Sequence, residues 1–202
     1  VTHLLHKALQ QTLGEHVTQK GSMVSAERMR FDISHNRQIN KDEIKAIEKI
    51  VNQQIRFNGQ VNTKIMSPED AIKEGAMALF GEKYGETVRV ITVPDFSMEL
   101  CGGTHVANTG QIGAIRILSE SGVAAGVRRI EAATGAGVAL WLRRQQELIH
   151  DVADSLKTNP TGILKKAENM TEEIRKLKKE LEATKLAAVQ SGLDDMIAQA
   201  RS

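Results

Sequence analysis

Val88-Arg89-Val90-Ile91-Thr92-Val93-Pro94 decides the fold class, read with the two runs that follow it, Ile112 to Leu118 and Val127 to Ala132. Each run is short and rich in β-branched residues. Each is bounded by proline or glycine, so each reads as a strand. Pro94 ends the first run because proline cannot donate to a strand ladder. Glycines from Gly122 to Gly126 separate the other two.

The pattern upstream of Val88 is mixed. Val61 to Met66 alternates like a strand, and Ser67-Pro68-Glu69-Asp70 places a cap and a first-turn proline before a short helix expected through Met77. Asn40 with Glu43 forms a capping box, and the helix it opens has Ile44, Ile47, Ile50, Val51 and Ile55 on one face. Met23-Val24 and Met29 to Ile33 read as a hairpin. Leu4, Leu5, Ala8, Leu9 and Leu13 mark an amphipathic helix that stops near Gly14. Strands and helices therefore mix without a regular β-α-β alternation. The expected class is α+β, an antiparallel sheet covered by helices.

Downstream of Gly137 the composition changes. Val138, Trp141, Leu142, Leu148, Ile149, Val152 and Leu156 form one helical stripe, and Asn159-Pro160-Thr161-Gly162 is a turn. Ile163, Ala167, Met170, Ile174, Leu177, Leu181, Thr184 and Ala188 then alternate by four and three, a heptad seam flanked by Lys and Glu. The two helices are expected to fold back as a long helical hairpin, a coiled-coil spacer or dimer contact. Lys176, Lys178 and Lys179 read as a solvated face rather than an RNA contact. The boundary places one domain at residues 1–137 and the helices at 138–202.

Bulk composition narrows the classes of function. The 202 residues carry 27 basic and 25 acidic side chains, net +2, so any RNA contact must come from local clusters. One cysteine excludes an intrachain disulfide and suits a reducing cytoplasm. No apolar run approaches the ~20 residues that span a bilayer, so no membrane partner is expected. The chain begins at Val1, inside a helical pattern, which reads as a fragment of a longer protein.

Few residues can do chemistry. Cys101 and His105 lie four apart across Gly102 and Gly103. Thiolate and imidazole are good zinc ligands, and the glycines permit a bend and leave backbone N–H groups open. A lone cysteine is otherwise more often inert core. His3 and His6 share a helix face, and either reaches a metal unless both are surface residues. Arg128 and Arg129 enter a strand, so their side chains point to opposite faces. One of them suits a phosphate, against the alternative of a surface salt bridge.

Several segments taken together resemble a known family. They are Thr2-His3-Leu4-Leu5-His6, His16 to Ser22, Arg30 to His35, Gly75 to Tyr84, Glu99-Leu100-Cys101-Gly102-Gly103-Thr104-His105 and Gly126 to Ala132. In this order they resemble the editing domain of bacterial alanyl-tRNA synthetases over Val1 to about Gly137. The later helices resemble the start of the linker toward the C-terminal domain.

The resemblance implies zinc bound by a histidine pair on the first helix plus the Cys and His of the cysteine–glycine segment. His3, Cys101 and His105 match ligands, and His6 falls outside the pair. The remaining histidine would lie two positions before Val1. It also implies hydrolysis of tRNA(Ala) mischarged with serine or glycine, because an alanine site cannot exclude glycine by size and rejects an added hydroxyl only modestly. Thr2, Gln19 and Ser22 would line the pocket, and Arg128 would hold the tRNA 3′ end. Arg129 and Lys20 are further candidates for phosphate contact. No Asp or Glu stands beside these motifs as an obvious general base, so water is expected on Gln19 and backbone amides, with zinc orienting the substrate. Partners would be the tRNA acceptor end and the rest of the synthetase chain, whose aminoacylation domain lies outside this sequence. Two alternatives stand beside this: a free-standing trans-editing protein, and a non-catalytic zinc-stabilised module for RNA binding or dimerisation.

Overall fold

A computed structural model of the chain describes residues 1–25, 28–78 and 85–200, with side chains up to residue 190. The segment Gly75 to Tyr84 therefore lies partly outside the described residues. The chain divides into two compact units, Val1–Leu142 and Arg143–Ser202.

The first unit is α+β, as the mixed pattern predicts. Helix α1 (Thr2–Leu13) buries Leu4, Leu5, Ala8 and Leu9 and ends at Gly14, whose φ of 116° a side-chain-bearing residue rarely adopts. Strands β1 (Gln19–Val24) and β2 (Met29–Ser34) pair antiparallel. Helix α2 (Lys41–Phe57) opens on the capping box: Asn40 accepts from the backbone N–H groups of Asp42 and Glu43, and Glu43 reaches back to the Asn40 N–H. Strands β3 (Asn62–Met66), β4 (Val88–Val93) and β5 (Ser97–Leu100) form a three-stranded antiparallel sheet in that order. Strands β6 (Ile115–Ala124) and β7 (Val127–Thr134) complete a four-stranded antiparallel sheet ordered β1-β2-β7-β6.

The core lies between α1, α2 and the inner face of the larger sheet. Phe31, Ile33, Met29 and Ile130 meet Leu4, Leu5 and Leu9 from α1 and Ile47, Val51 and Ile55 from α2. Each such side chain, fully buried, stabilises the fold by about 1.5–3 kcal/mol. A smaller cluster of Ala71, Ala76, Val88, Val90 and Leu100 fills the second sheet's inner side.

Two local expectations change. The short helix α3 (Pro68–Lys73) stops before Met77. Gly75 turns the chain out at φ 90°, and Met77 then bridges to Glu99 as an added parallel partner of β5. Strand β5 itself was not read from the sequence. It follows a turn in which Asp95 sits in the left-handed region at φ 57°.

Helix α4 (Ala136–Ser155) starts in the first unit. The second unit continues through a 3-10 turn at Pro160–Gly162, capped by Asn159, into α5 (Ile163–Ala200). The seam residues Met170, Ile174, Leu177 and Leu181 are 38% to 55% exposed. No helix among the described residues is long and apolar enough to cross a membrane.

Candidate metal centre

The first turn of α1 and the loop after β5 meet because both leave the packed core at the same edge. Leu4 and Leu5 anchor α1, which puts His3 beside them facing β5. Leu100 anchors β5, and Cys101 follows it directly, its N–H donating to the Arg89 carbonyl at 3.0 Å. Arg89 also donates from Nη1 to the Gly103 carbonyl at 2.8 Å, pinning the loop that carries His105. The result brings one ligand atom each from His3, Cys101 and His105 to within 4.8 Å of one another.

His3 Nε2 lies 3.1 Å from His105 Nε2, and the two rings stack with centroids 5.2 Å apart. Two nitrogens on one tetrahedral zinc would sit ~3.3 Å apart from the usual bond lengths. A thiol and two imidazoles also form the donor set that zinc prefers. His105 Nδ1 is buried without a hydrogen-bond partner among the described residues. The residues present therefore fit the metal.

The electrostatics are those of a metal-free cluster, in which His3 holds a proton that must leave when a metal binds. Burial disfavours a charged His3, but hydrogen bonds to Cys101 and Glu99, and their charges, outweigh it and raise its pKa to about 9. The His3 hydrogen bond lowers the Cys101 thiol pKa and so favours the thiolate, against burial, which raises it. Burial, then the nearby His3 and Arg89 charges, lower His105, keeping a lone pair available. The glycines act differently from expectation. Neither Gly102 nor Gly103 has positive φ, so the bend does not need glycine geometry. A Cβ on Gly102 would meet nothing within 4 Å, so this part of the loop stands open.

The reading of surface histidines on α1 is overturned. His6 is 1% exposed and donates from Nε2 to the Val17 carbonyl at 3.2 Å. It lies outside the three-residue cluster. A carboxylate does touch the cluster, though not as a general base facing the front cavity. Glu99 is buried and accepts from His3 Nδ1 at 2.7 Å. Burial raises its pKa, but hydrogen bonding to His3 and His6 prevails and holds it at about 2. Glu99 does not line the cavity in front of the cluster. It lines a smaller one behind, about 270 Å³, with Lys7 and Ser97.

The front cavity is about 660 Å³. Thr2, His3, Ser22, Cys101, Thr104 and His105 form its polar wall, and Val61, Ile91, Val106 and Ile112 its apolar one. Gln19 is not in the wall, but its amide nitrogen donates to Ser22 Oγ at 3.2 Å. Arg128 is not brought to the cavity. It lies at the start of β7, six residues from Thr134 in the cavity rim, or about 20 Å along a strand. Its guanidinium grips Glu120 through two hydrogen bonds, one at 2.7 Å from Nη2. Arg129, on the opposite face, makes two 2.8 Å bonds to Asp32. Both arginines are thus paired within the chain, and Lys20 is exposed on β1.

Comparison with known proteins gives the geometry a context. Residues 88–131 match the family model described as the threonyl and alanyl tRNA synthetase second additional domain. The chain is 52% identical over 192 residues to an alanine–tRNA ligase of Nitrosomonas eutropha, covering 94% of this chain and 22% of the relative. It is 50% identical over 198 residues to alanine–tRNA ligase 1 of Lachnoclostridium phytofermentans, covering 98% of the chain and 22% of that protein. An alanine–tRNA ligase of Saccharophagus degradans is 50% identical over 200 residues, again 98% of the chain but 23% of the relative. The chain thus spans about a fifth of the length of these relatives.

Proposed function

Since this chain belongs to the alanyl-tRNA synthetase editing-region family, as a segment 22% the length of its Nitrosomonas relative, we propose that it hydrolyses the ester joining serine or glycine to tRNA(Ala). The observation that carries the proposal is the cluster of His3, Cys101 and His105 on the wall of the front cavity, with Thr2 and Ser22 beside it. On this reading residues 1–137 form the deacylase domain and 138–202 the linker. The partners are the tRNA acceptor end and the rest of a synthetase chain, and the compartment is the cytoplasm.

His3, Cys101 and His105 would hold zinc. When bound, that metal supplies a Lewis acid that orients or polarises the ester carbonyl. The chain's own groups do the rest. Thr2 offers its hydroxyl to the serine hydroxyl. Alanine lacks that group, so binding it would leave the threonine hydroxyl without the partner that serine provides. Gln19 acts from behind the wall: its amide nitrogen donates to Ser22 Oγ, which orients the hydroxyl that faces the attacking water. Arg128 contacts a tRNA phosphate at a distance from the ester, exchanging Glu120 for it, and this contact weakens with salt.

The test is deacylation of Ser-tRNA(Ala) and Ala-tRNA(Ala) by the 202-residue chain loaded with zinc. Serine release that is lost in Cys101→Ala, with alanine spared, supports the reading. Equal rates for Cys101→Ala and the unmodified chain would sink the role of the cluster, and no serine release by the unmodified chain would leave a non-catalytic RNA-binding module.

A further inference from the structure

We propose that Glu99 is a positioning residue for the metal centre, locking the ring orientation and tautomer of His3 from behind. The inference rests on the zinc reading above. Neutral imidazole has two tautomers, and only one offers Nε2 as a ligand. Glu99 Oε2 accepts from His3 Nδ1 at 2.7 Å, which fixes the proton on Nδ1. The opposite nitrogen, Nε2, is then the atom pointing at His105, 3.1 Å away. Carboxylate partners of this kind orient metal-bound histidines and raise their basicity.

The surroundings argue against a purely structural carboxylate. Glu99 is 4% exposed, and a charge taken that far from water is costly unless well paired. Its pairing is one-sided. Oε2 serves His3, with His6 Nδ1 3.5 Å off, while Oε1 is buried with no hydrogen-bond partner among the described residues. A neutral amide would join α1 to β5 equally well. The one oxygen that is partnered faces His3, so the charge acts on that histidine. Strand β5 supplies the placement: Ser97 and Glu99 share its buried face, and Leu100 ends it one residue before Cys101.

The experiment compares the unmodified chain with Glu99→Ala and Glu99→Gln after removal of metal. Zinc affinity is read by competition with a chromophoric chelator. Cobalt is then added, and the near-ultraviolet band of a Cys101 thiolate bound to cobalt reports whether the same site is filled. Zinc affinity is expected to fall roughly 10–100-fold in Glu99→Ala. Glu99→Gln, which keeps an acceptor oxygen and loses the charge, falls by less, and the cobalt–thiolate band persists in both. Circular dichroism checks folding, and if Glu99→Ala does not fold, Glu99→Gln decides. A folded variant within twofold of the unmodified chain overturns the inference while leaving the zinc reading intact. An unmodified chain that takes up neither metal overturns the zinc reading and this inference with it.

Discussion

Removing the Glu48 carboxylate should cost the first unit about 2–3 kcal/mol. Strand β6 is the edge of the larger sheet, so the outward backbone groups of Ile115 and Ile117 have no strand to pair with. Helix α2 supplies the partners instead. Glu48 Oε1 accepts from the Ile117 N–H at 2.6 Å, and its Oε2 from Arg116 Nη1 at 2.9 Å. One turn later, Asn52 accepts from the Ile115 N–H and donates to the Ile115 carbonyl, both at 3.0 Å. Glu48→Ala removes a hydrogen bond to a charged acceptor and strands a buried N–H, worth about 1.5–3 kcal/mol. The Arg116 pair adds under ~1 kcal/mol, because Arg116 is 45% exposed. At ~2–4 °C per kcal/mol, the midpoint should drop by roughly 5–10 °C. Trp141, the chain's one tryptophan, stacks on the Arg116 guanidinium at 5.1 Å, so its fluorescence during urea unfolding reports this corner directly. Glu48→Gln keeps an acceptor and should lose about half as much. A cost below ~0.5 kcal/mol for Glu48→Ala, or equal costs for both variants, would refute the edge-capping argument.

Acid should erase a second contribution. Arg129 hydrogen bonds hold the Asp32 carboxyl below its usual range, so the pair stabilises the fold above the unfolded value of ~3.9 and loses that as pH falls through the lower folded value. Unfolding free energies of the parent and Asp32→Asn should therefore differ at pH 7 and converge below pH ~4; a gap constant down to pH 3 contradicts this. The exposed seam of α5 is expected to drive self-association, so Leu177→Lys with Leu181→Lys should shift sedimentation toward monomer, and no shift would assign that face to another role. Phe31→Ala, at the centre of the core with no exposed surface, should cost ~3–5 kcal/mol in urea unfolding.

What could be read along the chain is what neighbouring residues control. The α2 capping box, the α1 stripe ending at Gly14 and the β-branched runs of β4 and β7 were all legible, because each depends on neighbours a few residues away. Cys101 and His105 were legible as donors for the same reason. Strand β5 was not, because Ser97 and Glu99 point inward and break the alternation by which a half-buried strand is recognised. That break carries chemical information: a buried acid in a four-residue strand makes sense only beside His3, 96 positions away in the chain. The same limit applies to Arg128, whose strand position was readable but whose engagement by Glu120 depends on the β6–β7 register. The local pattern thus supplied the donors. Which side chains those donors meet follows from the packing of Leu4, Leu5 and Leu100, because contacts between distant parts of the chain are set by burial and not by sequence spacing.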